Sequence, residues 1–186
     1  MPITIPTALT LFRILLLPVM VVVFYAPFRG ANIAAAMIFV AAAITDWLDG
    51  WIARRYGMMS AFGAFLDPVA DKLMVAVTLF LLVQENPTPL MAATSAVIVG
   101  REISISALRE WMAEIGQRAT VRVATIGKVK TGMQIAAIVV LLYQHDLASL
   151  RPFYIGETLL VLAAVLTIWS ALQYLRAAWP ALRGER

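Results

Sequence analysis

The sequence predicts an all-α integral membrane protein with six transmembrane helices and a polar cavity open to the cytoplasmic side. Hydrophobic residues make up 62% of the 186 residues and charged residues only 14%, whereas soluble domains are about half apolar and a quarter charged. Apolar stretches of helical length alternate with short breaks rich in Pro, Gly and charge. The basic residues are distributed unevenly between the two predicted membrane faces. These three observations fix the fold class.

The six spans follow one another without a flexible linker, a low-complexity tract or an internal repeat. We expect a single domain over residues 1–186, with residues 1–10 at the membrane interface and Pro6 and Thr7 opening the first helix. The N-terminus lacks the basic region and cleavage site of a signal peptide, so we expect no cleavage. The predicted spans are about 8–27, 32–55, 62–85, 88–113, 126–145 and 154–179.

The basic residues predict the orientation in the membrane. With the N-terminus inside, Arg29 and Arg151 fall in outer loops, and the other 13 of the 15 Lys and Arg residues, Arg13 among them, fall on the inner side. Such a bias places both termini in the cytoplasm. It also accounts for the formal charge of +4, so no nucleic-acid partner is expected.

Three spans carry charge within their inner halves. The charge-free, mainly apolar runs Leu73–Val83 and Met133–Tyr143 are 11 residues each, which is about 16 Å of helix and roughly half the hydrocarbon thickness. Span 4 is apolar at first and then carries Arg101, Glu102 and Arg109. Charge at membrane depth is costly unless it faces water or a partner. We therefore expect one polar cavity that opens to the cytoplasm.

Four aspartates follow a helical spacing on spans 2 and 3. Asp46 and Asp49 share one face of span 2, and Asp67 and Asp71, four residues apart, share one face of span 3. The connection between these spans is short, so we expect antiparallel neighbours with all four carboxylates at one end. A single aspartate could be a helix-end residue or the partner of an arginine, but four inside membrane spans indicate a functional site.

The chemistry of this cluster predicts a divalent-metal site. Four carboxylates this close cannot all stay ionised without cations. The chain has no Cys and no His near the cluster, so oxygen ligands select Mg²⁺ or Mn²⁺. Such a site suits a pyrophosphate, whose charge the ions neutralise. Gly50, Ala53 and Gly63 leave room for a ligand to approach, and Arg54 can place a cation beside its phosphates.

The aspartates belong to a longer pattern, D-x-x-D-G-x-x-A-R-x8-G-x3-D-x3-D, which runs without a spacing error from Asp46 to Asp71. This pattern is similar to the signature of the CDP-alcohol phosphotransferase family. The similarity extends to residues 5–13, 101–114 and 126–131. The common family pattern has Asn near the start of helix 1, where this chain has Thr7. Arg122 matches no family motif, and its role stays open.

The resemblance implies six transmembrane helices, a homodimer in a bacterial inner membrane and two bound Mg²⁺ or Mn²⁺ ions. It further implies transfer of the phosphatidyl group from CDP-diacylglycerol to sn-glycerol 3-phosphate, which gives phosphatidylglycerophosphate and CMP. In this interpretation Asp46, Asp49 and Asp67 hold the ions, and Asp71 touches an ion and acts mainly as the general base. The CDP-lipid site would consist of Gly50, Ala53, Arg54 and Gly63.

The acceptor site is predicted from basic residues on the inner halves of spans 4 and 5. Several cations beside a metal site suit a phosphorylated alcohol, because each can donate charge-assisted hydrogen bonds to the phosphate. The candidates are Arg101, Arg109, Lys128 and Lys130. Arg101 and Glu102 could instead form a buried ion pair that holds span 4, and Arg118 and Arg122 are expected to anchor lipid headgroups.

Two other functions compete with this interpretation. A small cation transporter or channel could use the carboxylates as an ion path, but the acidic residues cluster at one membrane face and do not line a route across. A related transferase could use serine, inositol phosphate or a second phospholipid as the acceptor. Serine has no phosphate, so the basic residues disfavour it.

Overall fold

Six long α-helices account for nearly all of the chain that the structure describes. A computed structural model describes residues 4–58, 60–116, 125–143 and 152–183, without the side chains of residues 125–129 and 152. No strand occurs within these ranges, so the predicted all-α class and the six helices are confirmed. The helices are α1 Ile5–Phe24, α2 Ala31–Tyr56, α3 Ala61–Glu85, α4 Pro89–Glu114, α5 Thr125–Tyr143 and α6 Pro152–Leu182.

Three of the helices begin at a hydroxyl residue that caps the first turn. Thr4, Ser60 and Thr88 precede α1, α3 and α4, and each side chain accepts a hydrogen bond from the backbone amide three residues later. Such caps satisfy amide groups that have no partner within the helix. Because α1 begins at Ile5, residues 5–10 form its first turns, slightly earlier than the sequence predicts.

The packing of the helices differs from the simplest interpretation of the sequence. α1 packs along both α2 and α3, α4 packs against α3 and α6, and α5 packs against α6 and α2. α2 and α3 touch each other only over a short stretch, although a loop of a few residues joins them. The two helices that the sequence predicts to be neighbours therefore meet mainly through α1, which provides a surface that both of them share.

The distribution of apolar side chains is that of a multi-pass membrane protein. Among the described residues, α1, α2, α4 and the Phe153–Leu182 part of α6 are long and apolar enough to cross a membrane, and α5 contains the shorter apolar segment Lys130–Tyr143. Large apolar side chains point outward, for example Val22, which is 70% exposed, and Phe80, which is 61% exposed. A surface of this kind suits contact with lipid chains.

Candidate active site

A buried arginine from α1 lies among the aspartates of α2 and α3. Arg13 is only 1% exposed. Its Nη1 atom lies 3.2 Å from Asp46 Oδ1 and 2.5 Å from Asp71 Oδ1. Its Nη2 atom donates to Asp49 Oδ2, and Asp49 is as deeply buried as the arginine. One guanidinium group therefore joins three carboxylates from two helices.

The fourth aspartate also has a partner on α1. The hydroxyl oxygen of Thr10 lies within hydrogen-bonding distance of Asp67 Oδ1 and 3.0 Å from the carbonyl oxygen of Pro6. Thr10 is fully buried, and it lies three residues before Arg13, on the same face of α1. All four predicted aspartates thus lie where α1 meets α2 and α3, and a side chain of α1 contacts each of them.

Sequence reasoning did not identify Arg13 and Thr10 as site residues. Arg13 entered only as one of the cations that set the orientation. A signal was nevertheless present, because Arg13 is the one charged residue in Ile5–Phe24. A charge inside an apolar span marks a functional or structural partner by default.

The donor set of the cluster fits a hard divalent ion. Carboxylate oxygens from two helices converge on one positive group, and hard ions prefer oxygen ligands. Among the described residues, however, no three acidic or histidine side chains come together closely enough to enclose an ion. The guanidinium group of Arg13 lies between three of the carboxylates and already supplies positive charge at their centre.

A cavity of about 110 Å³ adjoins this cluster and is called here the acidic cavity. Arg13, Asp46 and Asp71 form its polar wall. The other walls are mainly apolar, with Phe39, Met74 and Ile135 among the lining residues. A cavity that is charged on one side and apolar on the other matches the region of a lipid where the phosphate joins the acyl-bearing part.

A second cavity of about 230 Å³ lies between α4, α5 and α6 and is called here the basic cavity. Arg101, Arg109 and Lys130 contribute three cations, and Glu102 is the one carboxylate that lines it. Polar groups dominate the remaining surface, which includes Ser170 and Tyr174. The excess of positive charge suits an anionic ligand.

The contacts of Glu102 answer the question that the sequence left open for Arg101. Glu102 Oε1 accepts a hydrogen bond from Lys130 Nζ and lies 3.1 Å from Arg101 Nη1. Arg101 Nη2 also donates to Ser170 Oγ at 2.7 Å. Arg101 therefore forms the ion pair with Glu102 and lines the basic cavity at the same time. The two interpretations of Arg101 do not exclude each other.

Thr131 is the residue that the two cavities share. It follows Lys130 on α5 and lies on the boundary between the basic side chains and the aspartates. The predicted acceptor residues Arg101, Arg109 and Lys130 are thus brought together next to the acidic cavity. The side chain of Lys128 and residues Arg118 and Arg122 lie outside the part of the chain that the structure describes.

The four residues predicted for the CDP-lipid lie near the facing ends of α2 and α3. The guanidinium group of Arg54 covers Gly50, and a Cβ atom added at Gly50 would lie 3.3 Å from Arg54 Nη1. A Cβ atom at Gly63 would lie 2.9 Å from Ser60 Oγ and 3.0 Å from Thr7 Oγ1. Ala53 is half-buried one turn after Asp49 on α2.

The space beside Gly63 is therefore filled by this chain's own hydroxyl groups. Thr7 Oγ1 and Ser60 Oγ lie 2.8 Å apart and connect the start of α1 to the start of α3. Gly63 thus has a packing reason to lack a side chain, in addition to the ligand approach that the sequence suggested.

Comparison with known proteins identifies the family. The sequence model for CDP-alcohol phosphatidyltransferases matches residues 3–169, which include both cavities almost completely. The chain belongs to the CDP-alcohol phosphatidyltransferase family. The resemblance is thereby confirmed, and the aspartate pattern lies within the matched residues.

Curated relatives are similar over almost their full length. A protein of Salmonella choleraesuis (strain SC-B67) is 51% identical over 178 residues, which cover 96% of each chain. Proteins of Shigella flexneri serotype 5b, 50% identical, and Sodalis glossinidius, 52% identical, cover the same shares. Each relative is named CDP-diacylglycerol–glycerol-3-phosphate 3-phosphatidyltransferase.

Proposed function

We propose that this chain transfers the phosphatidyl group of CDP-diacylglycerol to sn-glycerol 3-phosphate and releases phosphatidylglycerophosphate and CMP. The observation that carries this proposal is the pair of oppositely charged cavities that meet at Thr131. The acidic cavity suits a metal-bound diphosphate that is attached to a lipid, and the basic cavity suits a small phosphorylated alcohol. The names of the full-length relatives give the same two substrates.

The donor is expected to bind at the aspartates of α2 and α3. Asp46, Asp49, Asp67 and Asp71 supply oxygen ligands for divalent ions, which we propose to be two Mg²⁺ or Mn²⁺ ions. When bound, such ions neutralise the diphosphate and stabilise the departing CMP. Arg54 adds a side-chain cation at the end of α2, and its guanidinium group packs closely over Gly50, which has no side chain to obstruct it.

Asp71 is the residue that we propose as the general base. It is 43% exposed and lines the acidic cavity, whereas Asp49 is almost completely buried. Its carboxylate accepts the proton of the acceptor hydroxyl as the new oxygen–phosphorus bond forms and the bond to CMP breaks. A carboxylate is a weak base for an alcohol, so the held geometry must supply much of the rate acceleration.

The acceptor phosphate is expected to lie in the basic cavity. Arg101, Arg109 and Lys130 can donate charge-assisted hydrogen bonds to it, and we propose that Lys128 contributes as well. Glu102 holds Lys130 and Arg101 at the cavity wall. Since Thr131 lines both cavities, a phosphate held in the basic cavity would leave the free hydroxyl at the other end of the molecule on the side of Asp71.

The location of the enzyme is part of the proposal. The bias of basic residues supports both termini and both cavities on the cytoplasmic side of a bacterial inner membrane. Lipids would surround the exposed apolar side chains, and the family resemblance supports a homodimer. Protease protection of tags at either terminus in sealed vesicles would test the orientation.

The central experiment measures CMP release by the purified protein in detergent micelles that contain CDP-diacylglycerol and Mg²⁺. Glycerol 3-phosphate, serine and inositol phosphate are offered in turn. We expect rapid release with glycerol 3-phosphate alone and loss of turnover when a chelator is added. Equal rates with serine would refute the acceptor, and full activity in chelator would refute the role of the ions.

A further inference from the structure

We propose that Arg13 is a resident counter-cation of the aspartate cluster, which holds three carboxylates together when no divalent ion is bound. The proposal rests on the proposed function only in taking these aspartates as ion ligands. It assigns Arg13 a positioning role: the residue acts through Asp46, Asp49 and Asp71 and is not itself a catalytic group.

The contacts of Arg13 show that the carboxylates set its position. Both terminal nitrogens contact carboxylate oxygens, Nη1 those of Asp46 and Asp71 and Nη2 that of Asp49. Within the described chain, the buried Nε atom has no hydrogen-bond partner. The guanidinium group is thus oriented by its two ends, and every ionic partner of the group is an acidic residue of the cluster.

The charge balance of the region favours such a residue. Four neighbouring carboxylates repel one another, and burial within a membrane protein makes an uncompensated charge costly. Asp49 is 1% exposed, so bulk water cannot solvate its charge. Arg13 supplies the cation for Asp49 and at the same time draws the half-exposed Asp46 and Asp71 towards the same point.

The packing of the helices gives Arg13 a second role. α2 and α3 contact each other only over a short stretch, and both pack against α1. Arg13 joins Asp46 and Asp49 of α2 to Asp71 of α3 through a single side chain. The carboxylates of the two helices are thereby held in register by a group from a third helix.

A bound divalent ion would supply positive charge to the same carboxylates. The metal-free protein should therefore depend on Arg13 more strongly than the metal-bound protein does. This difference separates the proposal from simple packing, because a side chain that only fills space matters equally in both states.

The test compares melting temperatures of the detergent-solubilised full chain, measured in chelator and in saturating Mg²⁺. The variants are Arg13→Gln and Arg13→Lys, with Arg29→Gln as the control. Arg29 is an exposed arginine between α1 and α2, so its variant loses the same charge without touching the cluster. We expect Arg13→Gln to melt at least about 5 °C below the unaltered protein in chelator. Mg²⁺ should recover most of that loss, and Arg29→Gln should be unchanged in both conditions.

A double variant tests whether Arg13 acts through the carboxylates. Removing Arg13 leaves Asp49 buried without a partner, whereas Arg13→Gln combined with Asp49→Asn removes both charges. The double variant should melt above Arg13→Gln in chelator. If Arg13→Gln yields no folded protein, Arg13→Lys replaces it, since lysine keeps the charge but offers a single terminal nitrogen, and this variant should be destabilised mainly in chelator.

Three results would overturn the proposal. The first is an Arg13→Gln variant that melts like the unaltered protein in chelator, and the second is a loss that Mg²⁺ does not reduce. The third is a double variant no more stable than Arg13→Gln. The melting curves are measured without an acceptor, so they test this inference independently of the reaction. If glycerol 3-phosphate fails as the acceptor but the melting temperatures change as expected, the proposed function is rejected and this inference stands.

Discussion

The two charged regions of the molecule are built with opposite signs. In the acidic region, one cation, Arg13, contacts three carboxylates. In the basic region, one carboxylate, Glu102, contacts two cations, Arg101 and Lys130. Each region contains an internal counter-ion that compensates only part of its charge.

Under the proposed function, this difference would let one small bundle bind two anionic substrates. The acidic region still needs positive charge, which divalent ions can supply, and the bound ions can in turn bind a diphosphate. The basic region still needs negative charge, which a phosphorylated alcohol can bring directly. Under the proposed function, the substrates would be sorted by the sign of the charge that each region lacks, with Thr131 at the boundary between the two cavities.

The largest effect is expected from Asp71→Asn, which keeps the shape of the side chain and removes the proposed base. The rate of CMP release should fall about 10³-fold, while binding of CDP-diacylglycerol is partly retained. Glu85→Gln, near the opposite end of α3, serves as the control and should keep its rate. Appreciable turnover by Asp71→Asn would show that Asp71 is not the general base.

Substitutions in the basic region should mainly raise the KM for the acceptor. Arg101→Gln and Lys130→Gln each remove a charge-assisted hydrogen bond, so the KM for glycerol 3-phosphate should rise about 10- to 100-fold. The KM for CDP-diacylglycerol should change much less. Steady-state kinetics with each substrate varied in turn measures both constants. Equal increases in the two KM values would indicate that these side chains serve the fold and not the acceptor.

The role of Thr131 at the boundary between the two cavities can be tested by changing the size of its side chain. Thr131→Leu should add bulk at the residue that lines both cavities and lower kcat/KM for glycerol 3-phosphate about tenfold, since a small displacement of the hydroxyl is costly. Thr131→Ser, which keeps the hydroxyl and reduces the bulk, should retain most of the activity. If the leucine variant is as active as the serine variant, the acceptor does not pass Thr131.

The smallest effects are expected at the two glycines, and they distinguish packing from binding. Gly63→Ala places a methyl group against Ser60 Oγ and Thr7 Oγ1, so the melting temperature should fall by about 3 °C. Gly50→Ala meets only the flexible end of Arg54, so stability should be kept while the KM for CDP-diacylglycerol rises. The reverse pattern would exchange the roles assigned to Gly50 and Gly63.

The sequence by itself determined the helices and the chemical character of the two regions. Six apolar segments, broken by Pro, Gly and charge, are close to the six helices observed. The spacing of Asp46, Asp49, Asp67 and Asp71 places each pair on one face of its own helix, and it is specific enough to reveal the family. Such periodic features depend only on local helix geometry, which the order of residues dictates.

The tertiary structure decided which faces meet. Nothing in the spacing of α2 and α3 shows that α1 packs along both of them, or that Arg13 and Thr10 reach the aspartates. Likewise, the contact of Glu102 on α4 with Lys130 on α5 and the shared position of Thr131 arise from the packing of separate helices. A helical period fixes the direction of a side chain about its own axis only, whereas its partners depend on how all six helices pack together.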